Sequence, residues 1–152
     1  MSSSEGAMIP LTEAQCRSLR VLAALMIPAD AGAGMPGADD DAIFADILAS
    51  LGRDGPDVLA ALDALDGMAG GRFGDLGPAE QEAAAARLQA EGGPMVLALT
   101  RAVAQCYYRD DRVVRAIGLE PRPPFPQGHV VEQGDWSLLD PVRERGPIWR
   151  QA

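Results

Sequence analysis

At 152 residues and 47% hydrophobic content, the chain is long enough for one cored domain plus an extension. Its net charge is -9 and all 13 basic residues are arginine, so the dominant basic patch of a nucleic-acid binder is excluded. No stretch approaches the ~20 apolar residues of a membrane span, and a single histidine excludes a histidine-based metal cluster.

Thr12 and Gln15 form a capping-box pattern, with Leu11 and Cys16 placed as a hydrophobic staple. Cys16, Leu19, Leu22, Ala23 and Met26 then recur at helical spacing, which predicts a helix over 13–26 that stops before Pro28. A glycine-rich connection over 31–37 follows. Asp39, Asp40 and Asp41 supply a cap and favourable charge for a second helix, whose buried stripe is Ile43, Phe44, Ile47, Leu48 and Leu51 and whose end is Gly52. Pro56 opens a third, with Val58, Leu59, Leu62 and Leu65 inward, closing near Gly70 and Gly71.

Pro78 opens a fourth, alanine-rich helix that ends at Gly92 and Gly93. Pro94 opens a fifth, apolar over so much of its circumference that it is expected at the centre of the bundle. After Asp110 or Asp111 as cap, Val113, Val114 and Ile117 mark a short sixth helix ended by Gly118. No segment carries a period-two run of β-branched residues. The expectation is an all-α fold: residues 1–11 as a flexible N-terminus, a bundle of five to six helices over 12–118, and an extended Pro-rich C-terminal strap over 119–152.

The strap carries Pro121, Pro123, Pro124, Pro126, Pro141 and Pro147, which rule out a long helix or a central strand through it. It also holds Phe125, Val130, Val131, Trp136, Leu138, Leu139, Ile148 and Trp149, far more apolar surface than a disordered tail has. Acids outnumber arginines 15 to 5 over residues 1–100, whereas residues 101–152 hold 7 acids and 8 arginines. A near-neutral, arginine-containing strap on an acidic body fits a protein interface. On residue type, Phe125, Trp136 and Trp149 are the expected anchors, Leu139 an adjoining apolar contact, and Arg122, Arg143 and Arg150 the polar clamps. Tyr108 offers a polar handle beside an inward-facing Tyr107, and His129, in a turn, is a further candidate contact.

No catalytic constellation emerges. A lone His129 lacks a partner for a His-paired nucleophile. The acids 39–41 with Asp46 lack the spacing of a calcium loop and are explained as a helix cap. The segment 32–37 neither follows a strand nor contains the lysine of a phosphate loop. Cys16 and Cys106 lie on apolar helical stripes, as buried free thiols or as a pair between neighbouring helices.

Four segments, taken in order, resemble the gluconate 2-dehydrogenase subunit 3 family. They are Leu25-Met26-Ile27-Pro28-Ala29-Asp30; Phe73-Gly74-Asp75-Leu76; Cys106-Tyr107-Tyr108-Arg109-Asp110-Asp111-Arg112-Val113; and Arg122-Pro123-Pro124-Phe125-Pro126 continued by Gly134-Asp135-Trp136-Ser137-Leu138-Leu139. The resemblance implies a non-catalytic small subunit that binds and stabilises a large FAD-dependent alcohol or sugar dehydrogenase or oxidase of the glucose-methanol-choline type. FAD is then expected in the partner and no cofactor, catalytic residue or metal in this chain; a cytochrome is a further candidate member of the complex. Some members of the family carry a twin-arginine export signal. Neither that motif nor a secretory signal is present here, which favours the cytoplasm unless a partner supplies the export signal. The rival reading is a self-sufficient helical protein that binds a small ligand between its helices, with the strap as a lid.

Overall fold

The computed structural model describes residues 11–123, 125–128 and 130–146. Among them it contains seven α-helices, three short 3-10 turns and no strand. The chain divides into two units, Met1–Pro121 and Arg122–Ala152.

In the first unit, α1 is Glu13–Met26, and Thr12 and Gln15 form the reciprocal capping box: the Gln15 N–H donates to Thr12 Oγ1 and the Thr12 N–H to Gln15 Oε1. α2 is Asp41–Ser50, capped by Asp40, whose carboxylate accepts from the Ala42 and Ile43 N–H groups. α3 is Gly55–Ala69, with proline in its first turn, and it stops at Gly70, whose φ of 66° lies in the left-handed region that a glycine enters without a Cβ penalty. α4 is Pro78–Glu91, α5 is Gly93–Tyr107, and α6 is Asp111–Ala116 with Asp110 as its cap.

The helices bury one continuous core, in which Leu19, Ile47, Leu62, Leu65, Phe73 and Val103 are fully enclosed. Each such side chain contributes about 1.5–3 kcal/mol through removal of its surface from water. α3 is the hub: it packs against α1, α4 and α5, while α5 packs against α2 and α3. This corrects the central place expected of α5. Its apolar arc is wider than the surface its neighbours cover, and Leu97 remains 62% exposed. α3 instead presents Ala61 beside Val58, Leu62 and Leu65, all buried, so neighbouring helices can close on it from more than one side.

The connection after α3 is tied to its neighbours by side-chain contacts. Asp66 accepts the Phe73 N–H at 2.8 Å, the Phe73 ring is buried, and the Gly74 N–H donates to the buried Ser18 Oγ at 3.2 Å. A Cβ at Gly74 would lie 3.2 Å from the Ser18 nitrogen, so any larger residue would force the turn or α1 to shift by a few tenths of an ångström. Arg17 on α1 adds an ion pair to Asp75 at 2.7 Å.

In the second unit, a 3-10 turn at Trp136–Leu139 runs directly into α7, Asp140–Glu144. The proline pattern excluded a long helix and left this short one unseen. Pro141 sits in the first turn of α7, where its missing N–H has no helical acceptor to satisfy. The boundary between the units falls a little later than residue 118, because the Gly118 and Leu119 N–H groups bond back to the Arg115 and Val114 carbonyls and close α6.

Candidate partner-binding surface

Within the second unit, Asp135 starts the 3-10 turn: its carboxylate accepts from the Ser137 N–H at 3.0 Å and from the Ser137 hydroxyl at 2.6 Å. These bonds hold the Asp135 carboxyl below its ordinary pKa, the hydroxyl contributing most. Residues three apart eclipse one another on a 3-10 turn, so Trp136 and Leu139 are brought to one side. Trp136 is 58% exposed, and Leu138, Leu139 and Val142 are exposed beside it in sequence. Phe125 is 85% exposed, and Val130 and Val131 are exposed as well. Arg143 donates to Asp140 at 2.9 Å across one turn of α7, an exposed pair worth little by itself. Arg122 is half-buried. Of the other residues expected to bind a partner, His129, Trp149 and Arg150 lie outside the described residues.

Tyr108 belongs to the first unit, at the C-terminus of α5. Tyr107 is buried, and its hydroxyl donates to the Pro36 carbonyl at 3.0 Å, tying α5 to the glycine-rich connection; burial pushes its phenol pKa up. The Tyr108 ring stands edge-on to it, with centroids 5.2 Å apart and planes at 88°, and is 57% exposed. The buried ring thus orients the exposed one.

Sequence reasoning missed a set of arginine–carboxylate links between helices. Arg112 on α6 donates to Asp40 at 2.6 Å and to Asp110 at 3.0 Å, so one guanidinium joins the N-caps of α2 and α6. It holds both carboxyls below their ordinary pKa. Arg101 makes a bidentate pair with Asp54, at 2.8 and 2.9 Å. Arg109 grips Asp46 at 2.5 Å and also Ser50, and this pairing lowers the Asp46 pKa. Arg112 and Asp110 are two residues apart, but the other partners lie 47 to 72 residues apart, beyond any local pattern. Asp40 was legible as a cap, but not as half of a clamp.

Both cysteines are free thiols. Cys106 is buried next to Arg109, and desolvation pushes its pKa up, the setting of a structural thiol rather than a nucleophile. Among the described residues no group of three or more histidine, cysteine or acidic side chains could hold a metal ion. None of their helices is long and apolar enough to cross a membrane.

The fold and surface define an all-α bundle followed in the chain by a short unit with several exposed large apolar side chains. No protein-family model matches the chain, and comparison with curated proteins and with solved structures yields no match.

Proposed function

We propose that the chain is a non-catalytic small subunit that binds and stabilises a large FAD-dependent alcohol or sugar dehydrogenase or oxidase of the glucose-methanol-choline type. One observation carries the binding part of this reading: Trp136, Leu138, Leu139 and Val142 stand exposed on consecutive turns of the second unit. A soluble surface rarely leaves so many large apolar side chains together unless another protein covers them. Tryptophan is also the residue type most enriched among interface hot spots. The flavoprotein as partner rests on the order of the four motifs that resemble gluconate 2-dehydrogenase subunit 3.

In this reading the flavin and the catalytic base belong to the partner. A dinucleotide site of the usual kind needs a strand, a glycine turn and a helix in succession, and the described residues of this chain contain no strand. The complex is assigned to the cytoplasm, with a cytochrome as a candidate third member.

Purification of the tagged chain from its native source tests the proposal. The expected product is a yellow complex with a flavin-bearing chain of much larger mass. A chain recovered alone, soluble and colourless would sink the reading. Removal of residues 122–152 should leave a helical circular-dichroism spectrum and abolish capture of the flavoprotein; a truncated chain that still captures it would place the interface on the bundle.

A further inference from the structure

The geometry points to a binding cleft for a small apolar molecule with a polar head that is not anionic, set between α1, α4 and α5 of the first unit. The cleft has a volume of about 510 Å³. Its floor is part of the core: Leu22 of α1, Leu88 of α4 and Leu99 of α5 are each nearly fully buried. Its walls, Leu25, Met26, Ala85 and Val96, are only half-covered.

The opening has a cause in the sequence. α4 carries four consecutive alanines, Ala83 to Ala86, and Ala85 and Ala86 line the cleft, whereas α1 and α5 offer long aliphatic side chains. The alanine methyl groups are too short to fill the space between three helices. α4 is held by α3 and α1, and α5 by α3 and α2, so the gap persists while every helix keeps its packing partners.

Size and chemistry select the occupant. Small-molecule sites run to roughly 300–1,000 Å³, and this cleft lies in that range. A helix about 10 Å across would fill the same volume with only about one turn, so a partner helix would gain little from it. Three polar side chains stand exposed at the mouth: Glu82, Gln89 and Thr100. The amide and hydroxyl suit a neutral polar head. Among the described residues of the lining Glu82 is the only ionisable group, and it repels a carboxylate or phosphate head. The ligand is therefore an apolar body with one polar end that carries no negative charge.

The full-length chain, titrated with the fluorescent neutral probe N-phenyl-1-naphthylamine and then with competitors, tests this assignment. Saturation at one probe per chain is expected, with displacement by decan-1-ol and binding of decanoate weaker by about tenfold or more. Ala85→Leu fills the wall, and Ala86→Phe blocks the mouth from an exposed position that tolerates bulk. Each should weaken the probe by about tenfold or more, and if Ala85→Leu does not fold, Ala86→Phe decides. Three results would overturn the inference: no saturable binding; decanoate binding as tightly as decan-1-ol; or binding untouched by both substitutions. If Trp136→Ala alone removes the probe, it sits on the second unit and the cleft is not the site.

Discussion

Replacement of Arg112 by alanine removes one side chain and unties two helix starts. The guanidinium is 46% exposed, and its partners Asp40 and Asp110 are 28% and 16% exposed, so solvent screens both pairs in part. Pairs of this kind contribute about 0.5–1 kcal/mol each, giving a loss of about 1–2 kcal/mol for Arg112→Ala at neutral pH. The caps themselves should survive, because Asp40 bonds the Ala42 N–H and Asp110 the Arg112 N–H through backbone donors that alanine retains. The loss has a predicted pH dependence. Both carboxyls sit below their ordinary value of 3.8 when folded, so their contribution is present above that value and disappears as pH falls through the lowered folded values. Urea unfolding of both proteins at about pH 7 and about pH 2.5 should give a clear difference at the higher pH and a smaller one at the lower. Asp40→Asn keeps a capping side chain and removes the charge, and a cycle with Arg112→Ala should return a coupling of about 0.5–1 kcal/mol. Equal stability of variant and parent at neutral pH, or a difference that persists unchanged in acid, would refute the clamp.

In the proposed complex, Trp136→Ala is expected to weaken association by ~2 kcal/mol or more, about thirtyfold in affinity, and to leave the helical content of the free chain nearly unchanged. Fully assembled complex with slowed flavin reduction would contradict a scaffold role for this residue. Phe73→Ala empties the wholly buried site beneath the turn that follows α3 and should cost ~3–5 kcal/mol in denaturant unfolding; a loss below ~1 kcal/mol would show that the turn is not anchored by the ring. Tyr107→Phe keeps the buried ring and leaves the Pro36 carbonyl without its donor, with an expected cost of about 1 kcal/mol by the same measurement.

The six helices of the first unit could be read from the chain because their signals are local. A cap or a first-turn proline opens each, a glycine closes most, and apolar residues recur at the helical period between them. The capping box at Thr12 and the end of α3 at Gly70 needed no information from distant residues. The exposure of Trp136 and Leu139 followed a similar logic: a proline-rich segment with more apolar surface than it can fold around itself leaves part of that surface uncovered. The helical turn beneath them did not follow, since Pro141 reads as a breaker until its place in the first turn is known.

Tertiary structure alone decided what lies between the helices. Whether α3 or α5 becomes the hub depends on which arcs neighbouring helices cover, and periodicity within one helix carries no record of that. Asp40 reaches Arg112 across 72 positions, so local pattern could supply its cap but not its clamp. The cleft is the clearest case. A run of alanines reads as helix propensity along α4, and becomes an opening only where α1 and α5 stand opposite it, because an empty volume belongs to three surfaces and is written in none of them.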